Sequence, residues 1–237
     1  MNLAIDIGNT SVKAALFEKN VLKEAHVHRF ELDELLQKYR IARAIISKSG
    51  EDTEIEEQLR QKAIPYIVLS RNLNLPIGIT YATPDTLGAD RIAGSVAANA
   101  QFRHTPVLKI DFGTCITYDL INAHNELEGG AISPGMMMRF KALHNYTARL
   151  PLIDPMQFTQ YPLTGTDTAH SILSGVMNGI KNEVDGIIKE YEARLGKLNV
   201  VATGGDSGLF VTLLKSEIFA RPYLVLEGLN IILNNNK

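Results

Sequence analysis

The residues best suited to chemistry near the start of the chain are an acid, a glycine and a run of small polar side chains. Asp6 ends an alternating apolar segment, and Gly8 lets the backbone approach a ligand closely. The carboxylate can hold hydrated Mg²⁺, while turn N–H groups and short hydroxyls can face phosphate oxygens. These features predict a nucleotide-phosphate site, with an ordinary polar hairpin as the alternative. The predicted site comprises Asp6, Ile7, Gly8, Asn9, Thr10, Ser11, Val12 and Lys13.

The same arrangement of residue types returns near the middle of the chain. Asp111, Gly113 and Thr114 follow one apolar strand pattern and lead into another, as Asp6 and Gly8 do. The offset is 111 − 6 = 105 residues, close to half of the 237-residue chain, which indicates a repeat on the scale of a domain. Two such hairpins that face each other across a cleft could hold a polyphosphate from both sides.

A third pair of reactive side chains, Asp90 and Arg91, opens a segment of small apolar residues that predicts a tightly packed helix. Asp90 could take a proton from a substrate hydroxyl. The planar guanidinium of Arg91 could bind a substrate carboxylate. In the structural alternative, Asp90 is a carboxylate favoured at a helix N-terminus, and Arg91 lies on the surface. We expect Asp85 or Thr86 to cap this helix.

The elements that must position these residues begin with three strands. Alternating and amphipathic segments in the first half predict the order β-β-β-α-β-α-β, which is typical of a mixed sheet with helices on its faces. A loop over residues 71–84 then leads into the helix that carries Asp90. Loops of this length inside compact domains are often functional.

The second half repeats this plan. A strand at 106–112, a hairpin and a third strand precede a helix at 136–148 and a long helix within 164–195. The third strand runs into two adjacent glycines and a Pro-Gly pair within 129–135, which predicts a close approach of the backbone to another group. The start of the long helix carries four candidate caps: Thr164, Thr166, Asp167 and Thr168. A later strand ends in Gly204 and Gly205, and glycines at the carboxyl end of a strand are a common nucleotide contact. The chain closes with an apolar helix.

Composition excludes several classes of protein. Net charge is −2, so a nucleic-acid partner has no electrostatic footprint, and the single cysteine excludes an internal disulfide. No apolar run approaches the roughly 20 residues of a membrane span, and the first residues lack the pattern of a signal peptide. We therefore expect a cytoplasmic protein that binds neither membrane nor nucleic acid.

Taken together, the motifs resemble the type III pantothenate kinases, a branch of the actin, Hsp70 and sugar-kinase superfamily. The resemblance implies an α/β fold of two ribonuclease H-like domains, 1–104 and 105–237, each a mixed five-stranded sheet flanked by helices, with a central cleft. The last helix would pack back on the first domain. The motifs are Asp6-x-Gly-Asn-Thr10 with Lys13, Thr83-Pro-x-x-Leu-Gly-x-Asp90-Arg91, Asp111-x-Gly-Thr114-x-x-Thr117-x-Asp119, Gly129-Gly-x-Ile-x-Pro-Gly135 and Thr203-Gly-Gly205.

The resemblance also implies a reaction and a role for each motif. The reaction is ATP-dependent phosphorylation of the primary hydroxyl of pantothenate, the first step of coenzyme A synthesis, with Asp90 as general base. ATP would meet residues 6–13, Thr114, Gly204 and Gly205. Asp111 would bind K⁺ or NH₄⁺, and Asp6 would hold Mg²⁺ through water. Pantothenate would contact Tyr81, Gly88, Ala89, Asp90, Arg91 and Thr168.

Family likeness and the small-residue face of the long helix imply a homodimer. Two alternative functions stay open: a kinase of another small hydroxylated substrate on the same fold, and a non-catalytic regulatory relative that binds nucleotide. The presence of Asp90-Arg91 and of both Asp-Gly hairpins argues against the regulator.

Overall fold

The computed structural model of the chain describes residues 1–8, 11–28, 30–48 and 53–236. Its backbone contacts divide the chain into two compact units, each assembled from separated segments. Unit 1 comprises Met1–Val107, Asp119–Gly129 and Tyr223–Lys237, and unit 2 comprises Leu108–Tyr118 and Gly130–Pro222.

The first sheet belongs to unit 1 and has five strands in the order β3-β2-β1-β4-β5. Strands β1 to β3 pair antiparallel, whereas β4 pairs parallel with both β1 and β5. The predicted order β-β-β-α-β-α-β is therefore confirmed. The elements are β1 (Asn2–Ile7), β2 (Val12–Glu18), β3 (Val21–His28), α1 (Leu32–Lys38), β4 (Arg43–Lys48), α2 (Glu54–Gln61) and β5 (Tyr66–Val68).

The remaining elements include a second mixed sheet in the order β11-β10-β7-β8-β9-β6. It has six strands where five were predicted, because Gly78 and Ile79, inside the predicted loop, pair parallel with Glu126 and Leu127. The elements are β6 (Gly78–Ile79), a 3-10 turn (Pro84–Thr86), α3 (Ala89–Gln101), β7 (Val107–Phe112), β8 (Cys115–Ile121), β9 (Glu126–Pro134), α4 (Met136–Asn145), a 3-10 turn (Pro155–Gln157), α5 (Thr168–Leu195), β10 (Asn199–Thr203), α6 (Ser207–Leu213), β11 (Phe219–Ala220) and α7 (Leu224–Asn235).

Within unit 1, the C-terminal helix α7 packs against α3 and β1. The two helices approach so closely at Gly228 that a Cβ atom there would overlap the backbone of Ala93. Buried amides reinforce the contact, since Asn2 Nδ2 donates to the side-chain oxygens of Asn230 at 2.8 Å and Asn234 at 2.9 Å. Because α7 packs on β1 of the first sheet, its contact with α3 holds the helix that carries Asp90 and Arg91 within unit 1.

Unit 2 has its own core, formed between its strands and the long helix α5. Phe112 stacks on Phe210 with ring centroids 5.2 Å apart, and apolar side chains of α5 such as Leu173 and Ile180 are fully buried. Of the four candidate caps of α5, the structure selects Asp167, whose carboxylate accepts from the backbone N–H of His170 at 2.8 Å. Among the helices of the described residues, none has both the length and the apolar character that crossing a membrane requires.

Candidate active site

The first predicted phosphate segment forms the turn between β1 and β2. Asp6 is buried at the end of β1 and lies directly opposite Lys13 on β2. The Gly8 N–H donates to the carbonyl oxygen of Ser11 at 3.1 Å. Residues in register on neighbouring antiparallel strands project to the same face, so the carboxylate and the ammonium share one face of the sheet.

Two members of this predicted segment, Asn9 and Thr10, lie outside the described residues. Of the others, Ile7 is buried, and Ser11 and Val12 are half-buried next to the turn.

Asp90 and Arg91 occupy the first turn of α3, as predicted, but Arg91 is not a surface residue. Its side chain is only 7% exposed and that of Asp119, on β8, is fully buried. Arg91 Nε donates to Asp119 Oδ1 at 2.8 Å, and Nη2 lies 2.5 Å from the same oxygen. The surface position in the structural alternative was therefore wrong for Arg91.

The environment of Arg91 keeps it charged. Burial opposes the charged form, but the hydrogen bond and the negative charge of Asp119 outweigh burial and raise the pKa of Arg91 above its ordinary value. The guanidinium also lies over the ring of Tyr81, with 5.6 Å between Cζ and the ring centroid. A fixed cation beside a tyrosine ring suits recognition of an anionic group.

Gly129 makes room for Tyr81. Its φ of +126° favours glycine, and a Cβ atom at this position would come within 2.8 Å of the Tyr81 ring. The close backbone approach predicted from the adjacent glycines is confirmed, and the group approached is this ring.

Gly88 has a similar relation to Asp90. A Cβ atom on Gly88 would lie 2.5 Å from Asp90 Oδ1, so the glycine leaves the space that the half-buried carboxylate occupies. The predicted caps were wrong: the helix begins at Ala89 and receives no side-chain cap. Asp85 and Thr86 belong to the 3-10 turn that precedes the helix, where Thr86 Oγ1 donates to the carbonyl of Thr83 at 2.9 Å.

The second Asp-Gly segment belongs to unit 2 and lies against the glycines after β10. A Cβ atom on Gly204, whose φ is +95°, would lie 2.5 Å from Asp111 Oδ1 and overlap the carbonyl oxygen of Phe112. Asp206 N–H donates to this carbonyl at 3.0 Å. The carboxylate and the carbonyl are oxygen donors of the kind that hard cations prefer.

The other predicted contacts of unit 2 are accessible. Thr114 and Gly205 are exposed. Thr168 is exposed at the start of α5 and lines an open cavity of about 570 Å³, together with Thr166, Asp167 and Ser171. In the described part of the chain, no three histidine, cysteine or carboxylate residues converge to hold a metal ion.

Comparison with known proteins identifies the family. The sequence model of the type III pantothenate kinases matches residues 2–190. The chain belongs to the type III pantothenate kinase family. It is 46% identical to the type III pantothenate kinase of Christiangramia forsetii, covering 100% of this chain and 99% of the relative. It is 42% identical to that of Bacteroides fragilis, covering 100% and 98%. The predicted family is confirmed.

Solved structures show the same fold at low identity. A conserved protein of the Baf transcriptional activator family from Campylobacter jejuni matches with a TM-score of 0.66 and 20% identity, covering 98% of this chain and 97% of that one. A ROK family glucokinase from Streptomyces griseus matches with a TM-score of 0.57 and 10% identity, covering 98% of both. The predicted fold class, α/β with two mixed sheets flanked by helices, is confirmed.

Asp119 was not assigned a role from the sequence, although a signal for it exists. It is the one carboxylate in a largely apolar strand, and a buried charge requires a partner of opposite charge. That partner is Arg91, 28 residues earlier in the chain.

Proposed function

We propose that this protein transfers the γ-phosphoryl group of ATP to the primary hydroxyl of pantothenate, the first step of coenzyme A biosynthesis. The observation that carries the proposal within this family is the arrangement of Arg91 between Asp119 and Tyr81, directly after Asp90. It offers a fixed cation for the acid end of the substrate and a carboxylate for its alcohol end. Because the reaction consumes ATP, we expect the protein to work in the cytoplasm.

Asp90 is the proposed general base. It would accept the proton of the pantothenate hydroxyl as that oxygen attacks the γ-phosphorus and the bond to the β-phosphate oxygen breaks. Arg91 Nε and Nη2 contact Asp119, and the guanidinium held in this way is proposed to face the pantothenate carboxylate. Anchoring the acid end in this way restricts where the hydroxyl can lie. Tyr81, Gly88, Ala89 and Thr168 are the other proposed pantothenate contacts.

The proposed ATP contacts are residues 6–13 in unit 1, and Thr114, Gly204 and Gly205 in unit 2. Asp6 would hold Mg²⁺ through water, which suits a cation that keeps much of its hydration shell. Asp111 Oδ1 would hold the monovalent cation, K⁺ or NH₄⁺, in the space that Gly204 leaves open. These cations supply positive charge that offsets the charge of the phosphates during transfer.

We also propose that the protein forms a homodimer, and two features of unit 2 support this proposal. Gly175 on α5 is exposed, and no atom of the described residues lies within 4 Å of a Cβ atom built at this position. Large apolar side chains lie exposed elsewhere in the same unit, including Tyr146 at 88%, Leu163 at 80% and Met156 at 78%. Contiguous exposed apolar area is typical of an interaction surface, and these side chains are the proposed contributors to one.

Two substitutions separate the roles of the acid and the cation. Asp90→Asn should lower turnover about a hundredfold or more while ATP and pantothenate still bind. Arg91→Lys keeps a positive charge for Asp119 but loses the planar fork, so it should raise KM for pantothenate about tenfold and leave KM for ATP nearly unchanged.

Steady-state ADP release with each substrate varied gives both results. Wild-type turnover in Asp90→Asn would remove Asp90 from the role of base. A change in ATP affinity alone in Arg91→Lys would show that the guanidinium does not bind pantothenate. Activity of the wild type with a sugar or polyol but not with pantothenate would favour a different kinase on the same fold.

A further inference from the structure

A polar cluster in unit 2 ties α4, α5, β8 and the end of β9 together. Arg139 Nη2 donates to Glu183 Oε2 at 2.6 Å and to Ser133 Oγ at 2.8 Å. Arg139 Nε donates to the carbonyl of Pro134 at 2.8 Å. The hydroxyl of Tyr118, a fully buried residue, donates to the other carboxylate oxygen of Glu183 at 2.9 Å.

The segment held by Arg139 lies directly on the Asp-Gly turn of unit 2. Gly135 N–H donates to the carbonyl of Thr114 at 3.1 Å, and Arg139 holds the carbonyl of the preceding residue, Pro134. The two backbone segments approach so closely that a Cβ atom on Gly135 would overlap the carbonyl oxygens of Gly113 and Thr114. A shift of the 133–135 segment would therefore move the turn with it.

Glu183 is ionised in this cluster. Burial alone would raise its pKa, but hydrogen bonds from Arg139, Ser133 and Tyr118 outweigh burial, so the pKa of Glu183 lies below its ordinary value. The Arg139–Glu183 contact is thus a charged pair, with side chains only 20% and 27% exposed. Charged hydrogen bonds shielded from water hold geometry better than exposed ones.

We propose that Arg139 and Glu183 are positioning residues that fix the Gly113–Thr114 turn for the phosphates of ATP. The proposal rests on the proposed function, in which Thr114 meets ATP phosphate. Arginine is required because one guanidinium must bond the carboxylate and the Pro134 carbonyl at the same time. The pair contacts neither substrate and acts only through the backbone that it holds.

Two conservative substitutions remove hydrogen bonds from the cluster but keep side chains of similar size in it. Arg139→Lys keeps the charge beside Glu183 but cannot also bond the Pro134 carbonyl. Glu183→Gln keeps the shape but replaces one of the two acceptor oxygens, which receive Arg139 and Tyr118, with an NH₂ group. Each should raise KM for ATP about tenfold, a loss comparable to one charged hydrogen bond, and leave KM for pantothenate within about twofold.

Unit 1 provides a matched control in a second Arg–Glu–Tyr cluster. Arg60 Nε donates to Tyr66 Oη at 2.9 Å, and Arg60 Nη2 lies 3.6 Å from Glu56 Oε2. Arg60→Lys makes the same chemical change in the other unit, at a residue with no proposed role in binding ATP. It should leave both KM values as in the wild type.

Binding of a non-hydrolysable ATP analogue, measured by calorimetry, separates this inference from the proposed function. The inference predicts about tenfold weaker analogue binding by Arg139→Lys, and a double variant with Glu183→Gln that is no weaker than the worse single variant. Equal binding by wild type and Arg139→Lys, or a lowered melting temperature with both KM values unchanged, would overturn the inference alone. Absence of analogue binding by the wild type would overturn both.

Discussion

The buried pair of Arg91 and Asp119 gives the sharpest stability prediction. Asp119→Asn keeps the shape of the side chain and one carbonyl oxygen, but removes the charge that faces the guanidinium. Both bonds from Arg91 end on Asp119 Oδ1, at 2.8 Å and 2.5 Å, and the two side chains are 7% and 0% exposed. The substitution therefore leaves a buried cation without its counterion.

The expected loss follows from this burial. Removing one partner of a buried ion pair destabilises a protein by roughly 3–5 kcal/mol, and the oxygen that asparagine retains favours the lower end, about 3 kcal/mol. For a chain of this size each kcal/mol lowers the melting temperature by roughly 2–4 °C, so the expected decrease is about 6–12 °C. The guanidinium cannot avoid this cost by losing its proton, because arginine stays protonated in proteins.

Scanning calorimetry of two matched variants tests this reasoning. Asp85→Asn makes the same change beside Arg71, whose Nε lies 2.8 Å from Asp85 Oδ1, but these side chains are 50% and 71% exposed. An exposed pair contributes about 0–1 kcal/mol, so this control should melt within about 4 °C of the wild type. If both variants have the same melting temperature, burial does not determine how much the Arg91–Asp119 pair contributes to stability, and the prediction is wrong.

Three further outcomes are expected. Gly228→Ala should destabilise the protein by about 3 kcal/mol, because the new methyl group overlaps the Ala93 backbone, whereas Gly186→Ala in open space should stabilise it by about 0.8 kcal/mol, both measured by urea unfolding. Burial raises the pKa of Asp206, so its ionisation opposes folding at neutral pH; Asp206→Asn should raise the melting temperature at pH 7, with a gain that shrinks as pH falls toward 3.8. Chelation of divalent cations with EDTA should abolish ADP release, and added Mg²⁺ should restore it.

Much of the local structure was predictable because its causes are local. Alternating apolar residues indicated β1 to β3, and Asp167 was recognisable as a cap of α5 by its residue type and place. The first turn of α3 was expected to carry Asp90 and Arg91, and it does. Family membership followed from several motifs in order, which no single motif could establish.

What the sequence did not indicate depends on contacts between distant segments. The pairing of β6 with β9 involves two residues from a stretch rich in turn signals, and only a neighbouring strand makes them a strand. The sequence pattern of the helix does not indicate whether Arg91 is buried. Its burial follows from its pairing with Asp119 on β8. The glycine pattern predicted a close approach at Gly129 but not that its neighbour is Tyr81.

The most direct test of the proposed function is product formation by the purified wild-type protein with ATP, Mg²⁺, K⁺ and pantothenate. We expect ADP release that depends on pantothenate, together with one product heavier than pantothenate by a single phosphoryl group in mass spectrometry. ADP release that is unchanged when pantothenate is omitted, with no phosphorylated pantothenate detected, would contradict the proposed function.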